Sequence, residues 1–260
     1  MADRRRPAAG VPPDGEPERI RQAYLRYEAD PAVRRRWDPA NAGTRAIHAE
    51  RREALRDLLA AEGRLPLARQ RVLDVGCGSG EVLASLVDDG AEPDLLYGVD
   101  LRADAIDEAR RAHPGMHWQS GNAERIELPS ASFDLVLAFT VFSSILDDAM
   151  ARNLAAEIAR LLRPGGALVW YDFRYASPYN ANVRAMTAAR IAQLFPGWPS
   201  TMRTLTVLPP LARRLGRAAP VLYPLLARVT PLRSHRLGLM RRPVAARAAG
   251  QGAAETPGEK

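Results

Sequence analysis

The sequence predicts a single-domain α/β fold with a mainly parallel sheet. Apolar runs of strand length alternate with helical patterns, which is the order that builds parallel sheets covered by helices. A glycine-rich turn joins the first clear strand directly to a helix. The chain has 260 residues, of which 47% are hydrophobic and 26% charged. It can therefore bury one sizeable core, as an ordinary globular protein does.

The first strand and its turn form the most informative segment. Residues 72–80 read VLDVGCGSG, and residues 81–86 continue as a helical pattern. The three glycines permit positive φ angles and close ligand approach, where α/β proteins bind nucleotides and nucleosides. A dinucleotide site would have its third glycine one position later. Asp74 would repel a pyrophosphate but suits an amine-bearing ligand, so a nicotinamide oxidoreductase is disfavoured.

The second and third strands follow the glycine-rich turn at the sequence spacing that is usual for alternating strands and helices. Residues 95–100 form a buried type of strand that ends in Asp100, which is placed to accept hydrogen bonds from ribose hydroxyls. A helical pattern over 103–112 separates it from a third strand over 116–120, and this strand leads into GNAE at 121–124. The segment therefore continues the strand-and-helix alternation.

The remaining strands complete the predicted sheet. Residues 133–139 form an apolar fourth strand. A helix over 147–162 then leads through a Pro-Gly-Gly turn into a fifth strand, which reaches Tyr171. Two last strands are predicted over 202–207 and, less clearly, 235–240.

This ordered set of motifs resembles the class I S-adenosylmethionine-dependent methyltransferases, nearest to the small-molecule type. The motifs are VLDVGCGSG, GVD, GNAE with LP, FDLV and LRPGG, and the resemblance is specific over residues 71–171 and looser to 241. It implies a Rossmann-like methyltransferase fold, with a mostly parallel seven-stranded sheet, an antiparallel last strand and an N-terminal helical cap. It also implies an enzyme with S-adenosyl-L-methionine as its cofactor.

The resemblance further implies which residues bind this cofactor. The methionine half would be lined by Asp74, Gly76, Cys77, Gly78 and Gly80, with the Asp74 carboxylate facing the ammonium group. The other half would meet Asp100 at the ribose, Leu101 beside the adenine, Asn122 and Ala123 at the adenine edge, and Phe139 near the sulfonium. Many relatives have Asp in place of Asn122, but an amide oxygen can also accept a hydrogen bond from the adenine amine.

Cys77 is the only cysteine in the chain. It reads as a small residue that fills a tight loop, because a nucleophilic cysteine would need a base beside it and none is suggested. A single cysteine excludes an intramolecular disulfide and fits a reducing compartment. Arg4, Arg5 and Arg6 are not followed by the apolar segment of a secretory signal. We therefore expect a cytoplasmic protein.

The catalytic machinery is less well marked. Asp172 follows the fifth strand at the edge where such sheets bind ligands, so it is the first candidate for a base or a hydrogen-bond acceptor for the substrate. The alternative is an ion pair with Arg174 that shapes the loop. His48 and His235 would reach the substrate mouth if their segments fold over it. No His, Asp or Glu grouping has a metal-ligand spacing, so no catalytic metal is expected.

Composition divides the chain into a methyltransferase domain and two tails. We expect disordered tails over 1–18 and 244–260, and a methyltransferase domain over 19–243 with a helical cap over 19–65. A helical insertion over 208–233 is the most individual part. Its apolar runs are too short to span a bilayer. Helices packed on the core, a dimer contact, a lid over an apolar substrate, and an arginine-flanked element on a membrane surface all fit it.

The formal net charge is +7, and Lys260 is the only lysine. Either the codon bias of a GC-rich genome or a surface that attracts phosphates, anionic lipids or nucleic acid explains this balance. No nucleic-acid partner is expected, because no RNA-binding module or basic-aromatic array is visible. The favoured function is O-methylation of a small molecule, glycan or specialised metabolite, with a lipid-linked acceptor left open. N- or C-methylation and a non-catalytic S-adenosylmethionine-binding protein remain as alternatives.

Overall fold

The computed structural model describes residues 15–36, 38–177 and 180–244. A seven-stranded sheet has the order β3-β2-β1-β4-β5-β7-β6. The first five strands in this order run parallel, and β7 is antiparallel to both of its neighbours. The predicted α/β class and the mostly parallel sheet with an antiparallel last strand are confirmed.

The elements have the following bounds. The strands are β1 Val72–Val75, β2 Leu96–Asp100, β3 His117–Ser120, β4 Phe133–Phe139, β5 Leu162–Phe173, β6 Ser200–Val207 and β7 Arg233–Arg241. The α-helices are α1 Gly15–Ala29, α2 Pro31–Arg34, α3 Ala42–Ala61, α4 Glu81–Ala84, α5 Ala103–Ala112, α6 Asp148–Leu161, α7 Ala188–Leu194, α8 Pro209–Arg214 and α9 Ala219–Leu226. Short 3₁₀ turns occur at Ser85–Asp89, Pro93–Leu95, Gly216–Ala218 and Thr230–Leu232.

Helices cover both faces of the sheet. All seven residues of β4 are buried, as expected for a central parallel strand with helices on each side. On one face α6 packs its apolar stripe onto the sheet, around the fully buried Phe133 and Trp170. On the other face α3 and α5 cover residues such as Leu137 and Val169. The carboxyl ends of the parallel strands are thus left open for a ligand.

The N-terminal helix begins earlier than predicted. We expected a tail to Glu18, but α1 starts at Gly15, while residues 1–14 lie outside the described part. Glu16 and Arg19 form a buried ion pair on this helix, and the Glu16 carboxylate also accepts the backbone N–H of Leu146. The charge-rich segment suggested disorder, but this buried pairing folds it against the loop after β4. The cap predicted over 19–65 contains α1, α2 and α3.

The segment over 208–233 is helical and packs against α3. A Cβ atom at Gly43 would lie 2.0 Å from the carbonyl oxygen of Ala212, so α3 and α8 meet at a distance that only glycine allows. The Tyr223 hydroxyl donates a 2.6 Å hydrogen bond to the Glu50 carboxylate, which ties α9 to α3. Of the predicted C-terminal tail, Val244 is exposed, and residues 245–260 lie outside the described part.

Candidate active site

Three adjoining cavities open at the carboxyl ends of the parallel strands. Gly76, Gly78 and Gly80, in the loop after β1, have φ angles of +71°, +53° and +87°. The loop also passes close to β3, since a Cβ atom at Gly80 would lie 2.3 Å from the ring of Trp118. Glycine is therefore required here both for the turn and for the packing.

The first cavity is an apolar slot of about 190 Å³. Its apolar walls include Val75, Val99, Leu101, Ala123, Val141, Met150 and Leu154. Asp100 and Phe139 also line it, so several residues predicted to hold the adenosine half lie together. A flat apolar slot beside a carboxylate matches an aromatic base attached to a ribose.

Asp100 is held in one orientation by the backbone. One of its carboxylate oxygens accepts the N–H of Gly78 and the other accepts the N–H of Arg102, both at 2.9 Å. Burial raises the pKa of this carboxyl. Because each carboxylate oxygen can accept more than one hydrogen bond, lone pairs remain for ribose hydroxyls.

The side chain of Asn122 is arranged differently from our expectation. Its amide oxygen accepts the backbone N–H of Glu124 at 3.0 Å, and its amide nitrogen donates to the Glu124 carboxylate at 2.8 Å. The cavity is instead lined by Gly121, Ala123 and Glu124. The expected side-chain contact with adenine therefore has no support in this geometry. Glu124 is a wall residue that sequence reasoning missed.

The second cavity brings opposite charges together. Asp74 is 2% exposed, and its Oδ1 atom has no hydrogen-bond partner among the described residues. Burial and the nearby charge of Asp100 raise the pKa of Asp74 to about 8, while the positive charge of Arg51 lowers it. Arg51, on α3, lines the same cavity. A carboxylate and a guanidinium at one cavity match the ammonium and carboxylate of an amino acid.

Arg51 was not singled out from the sequence. Its guanidinium lies 5.7 Å from the ring centroids of both Phe139 and Tyr171, which are at the ends of β4 and β5. These cation–π contacts hold the charge over the carboxyl edge of the sheet. No local motif marks Arg51, since it lies in the middle of a helix that carries several arginines.

Cys77 fills the loop after β1. Its side chain is buried, and burial raises the pKa of its thiol far above the ordinary value. The thiol is thus protonated and unreactive. This geometry supports the reading of Cys77 as a small packing residue.

The third cavity, of about 300 Å³, has an aromatic wall. The rings of Tyr171 and His235 stack at 4.6 Å with an interplanar angle of 4°. Burial lowers the pKa of His235 to about 3, so its ring is neutral, and its Nδ1 atom shares a 2.8 Å hydrogen bond with the Ser234 hydroxyl. His48 lines both this cavity and the second, and burial and Arg51 lower its pKa. Both histidines named from the sequence thus lie at the site.

Tyr24 and Thr140 line all three cavities and mark the point where they meet. Thr140 follows β4 with a φ angle of +59°, which is unusual for a β-branched residue. Hydrogen bonds hold it there: its N–H donates to the carbonyl of Tyr171 at 2.6 Å, and its own carbonyl accepts from the Ser144 hydroxyl at 2.8 Å. Strain at such a junction is typical of functional sites.

Asp172 is fully buried beside these cavities and does not belong to their walls. Its carboxylate oxygens accept the backbone N–H groups of Ser143 and Phe173. Burial raises its pKa to about 7. Arg174 instead donates to the carbonyls of Thr230 and Arg233, so the alternative ion pair with Asp172 is not formed.

In the stretches 15–36, 38–177 and 180–244, no group of three His, Cys, Asp or Glu residues could hold a metal ion. Within the same stretches, none of the helices has the length and apolar character needed to cross a membrane.

Known proteins share this arrangement. The profile described as "Methyltransferase domain" matches residues 72–166. Malonyl-[acyl-carrier protein] O-methyltransferase of Enterobacter lignolyticus is 37% identical over 146 residues, which is 54% of this chain and 55% of that protein. Trans-aconitate 2-methyltransferase of Azoarcus sp. is 35% identical over 173 residues, or 64% and 65%. The chain thus spans between half and two thirds of the length of these curated relatives.

A solved structure agrees on the fold. The putative sarcosine dimethylglycine methyltransferase from Galdieria sulphuraria superimposes with a TM-score of 0.58, covering 77% of this chain and 88% of that one. At 15% identity this likeness concerns the fold alone. Residues 72–166 thus match a methyltransferase domain, and the chain is similar to the class I S-adenosylmethionine-dependent methyltransferases.

Proposed function

We propose that this protein transfers a methyl group from S-adenosyl-L-methionine to an oxygen atom of a small molecule. The observation that carries this proposal is the continuity of the three cavities around Tyr24 and Thr140. The apolar slot with Asp100 would take the adenosine. Asp74 and Arg51 would take the ammonium and carboxylate of the methionine portion. The aromatic-walled cavity would then hold the acceptor.

Charge favours an acceptor that is an acid. Arg34, Arg51 and Arg213 line the third cavity, against one carboxylate, that of Glu28, among the described residues of its wall. Arg51 would also meet the methionine carboxylate, which leaves two arginines against one glutamate. A cavity with this balance attracts anions. Two relatives agree with this, since malonyl groups and trans-aconitate both carry carboxylates. We therefore favour a small organic acid as acceptor over a neutral glycan.

The residues of this chain would align the reactants and control protons. The bound cofactor supplies a methyl group on a sulfonium, which is already activated for transfer. The walls around Tyr24 and Thr140 would position the acceptor against it and exclude water. A carboxylate acceptor needs no base, because it is ionised at neutral pH. For a hydroxyl acceptor we propose His48 as the base, since its lowered pKa keeps it neutral and able to take a proton.

We propose a positioning function for Asp172 in place of the catalytic one expected from the sequence. Its oxygens accept the backbone N–H of Ser143, in the loop that borders the cavities, and that of Phe173, the last residue of β5. Methylation of nitrogen or carbon, and cofactor binding without catalysis, are the competing functions. Amine substrates would test nitrogen methylation. An amine would prefer an acidic cavity lining, and the charged side chains that line the third cavity are mainly basic.

The testing experiment measures cofactor binding and methyl transfer separately. Isothermal titration with S-adenosylmethionine and S-adenosylhomocysteine should give micromolar binding, and Arg51→Leu should weaken it about tenfold or more. Arg52→Leu is the matched control, because its neighbour Arg52 lies outside the cavities and pairs with Asp88. Methyl transfer would then be followed over panels of di- and tricarboxylic acids, alcohols and amines. Binding without transfer to any oxygen acceptor would contradict the proposal.

A further inference from the structure

Helix α9 carries an exposed apolar stripe. Val221 and Leu225 lie four residues apart on this helix, with Leu222 beside them, and Val229 follows three residues after the helix ends; they are 68%, 51%, 41% and 45% exposed in that order. Positions four apart lie on the same side of a helix. The opposite side is buried, because Tyr223 is 4% exposed and bonds to Glu50. The helix is therefore fixed to the protein, and its apolar side faces outward. We call these four residues the α9 stripe.

The stretch of sequence that contains the α9 stripe is basic. Residues 173–254 contain thirteen arginines and no aspartate or glutamate. Several of these arginines pair with acids elsewhere in the chain, as Arg203 does with Asp57 and Arg241 with Glu62. The exposed Arg214, Arg217 and Arg228, which flank the stripe in sequence, make no ion pair with any residue described. Their charge is therefore available to an anionic partner.

We infer that the α9 stripe and its three arginines dock this protein onto the surface of an anionic lipid bilayer. An apolar stripe bordered by arginines is the arrangement by which helices lie in a membrane interface, with the apolar side chains among the acyl chains and the cations at the headgroups. Three arginines around the stripe, without ion pairs among the described residues, favour an anionic bilayer over a second copy of the same segment, since the arginines of two copies would repel each other.

Docking at this surface would also bring the site to the membrane. The same segment places Pro209 and Arg213, on α8, in the wall of the third cavity. The helical turn between α8 and α9 is short, so the cavity wall and the α9 stripe belong to one packed unit. An amphiphilic acceptor could then enter from the lipid surface. The inference does not depend on methyl transfer, because bilayer binding is measured without cofactor or substrate.

The experiment is flotation of the full chain with vesicles of two compositions. One is phosphatidylcholine alone and the other contains phosphatidylglycerol at about a third. We expect binding to the anionic vesicles, weak binding to the neutral ones, and a loss of binding as salt screens the charges. Arg217→Gln with Arg228→Gln should weaken the vesicle partition coefficient about 25-fold, at roughly fivefold for each arginine near an anionic surface. Val221→Ser with Leu225→Ser should weaken it as well.

Matched substitutions elsewhere control for general changes in charge and hydrophobicity. Arg152→Gln removes an exposed arginine from α6, and Val87→Ser removes a 40% exposed valine far from α9 in sequence. Both should leave vesicle binding unchanged. Equal binding to both vesicle types, no binding to either, or equal effects of the control and α9 variants would overturn the inference. So would a dimer, detected by light scattering, that the α9 substitutions dissociate, since the stripe would then be a contact between two copies.

Discussion

The carboxylate of Asp172 accepts the backbone N–H of Ser143 at 3.0 Å. This bond joins the end of β5 to the loop after β4, which contains Thr140 and borders all three cavities. A second bond from the N–H of Phe173 occupies the other oxygen. Asp172 therefore connects the end of β5 to the loop after β4, and it does so from a buried position next to the cavities.

Replacing Asp172 with alanine should destabilise the protein by about 2–4 kcal/mol, because two backbone donors lose a buried acceptor. Asp172→Asn should cost less, since its amide oxygen can still accept one of these bonds. Denaturant unfolding would measure both. If Asp172→Asn keeps its stability and cofactor affinity but loses methyl transfer, the residue acts in the reaction itself, and the positioning function is wrong.

Stability of the cofactor-free protein should fall as the pH rises. The pKa of Asp74 is 3.8 in an ordinary environment and about 8 in the folded protein, so between these values the folded state holds a proton that the unfolded state has lost. This proton makes the unfolding free energy decrease as the pH rises across the window. Asp172, with a pKa of about 7, contributes in the same direction over a narrower window. His235 and His48, whose pKa values burial lowers from 6.5, act in the opposite direction below about pH 6.5, so the net fall should be clearest between pH 6.5 and 8. Urea titrations at pH 5, 6, 7 and 8 would measure the slope.

The Asp74→Asn variant should flatten this dependence, and Asp107→Asn, at an exposed site on α5, should not. Cofactor binding provides a second check at pH 7. If the ammonium group of the cofactor requires ionised Asp74, binding releases up to one proton, which titrations in buffers of different ionisation enthalpy detect. A wild-type stability that does not fall between pH 6.5 and 8 would contradict the burial argument.

Asp100→Ala should weaken cofactor binding by about 1–3 kcal/mol, or roughly 5- to 150-fold in Kd. The substitution removes the acceptor of two backbone N–H groups as well as the proposed acceptor of the ribose hydroxyls. Asp107→Ala is the matched control, because Asp107 is exposed and pairs only with Arg110. Calorimetry would measure the cofactor Kd of both variants. An unchanged Kd for Asp100→Ala would contradict the proposal that Asp100 binds the cofactor.

Gly80→Ala should destabilise the fold by about 2 kcal/mol or more, because it combines a φ angle of +87° with a Cβ atom 2.3 Å from Trp118. Gly115→Ala serves as the control, since its Cβ would make only an ordinary 3.5 Å contact. Adding Trp118→Ala should recover the steric part of the cost and leave the backbone part. Melting temperatures of Gly80→Ala, Gly115→Ala, Trp118→Ala and the double variant would separate the two, and equal losses for Gly80→Ala and Gly115→Ala would contradict the account.

The cofactor side of the site was predictable from sequence because each of its elements is formed by residues that are close together in the chain. The glycine loop after β1 and Asp100 at the end of β2 are encoded by short runs that set backbone conformation directly. The order of these runs identified the family and its cofactor, and both are confirmed. The functions assigned to individual cofactor-binding residues stay predictions. The sequence by itself thus determined the sheet, the turn and the kind of ligand.

The acceptor side depended on the tertiary structure. Arg51 reaches Phe139 and Tyr171 across about 90 to 120 residues of sequence, and only the packing of α3 on the sheet brings them together. Asp172 follows the predicted fifth strand, where a catalytic base was expected, yet its carboxylate accepts hydrogen bonds from two backbone N–H groups. The apolar side of α9 is exposed because Tyr223, on the other side, bonds to α3. Local patterns encode backbone conformation, whereas burial, pairing and shifted pKa values arise only between elements that are distant in sequence.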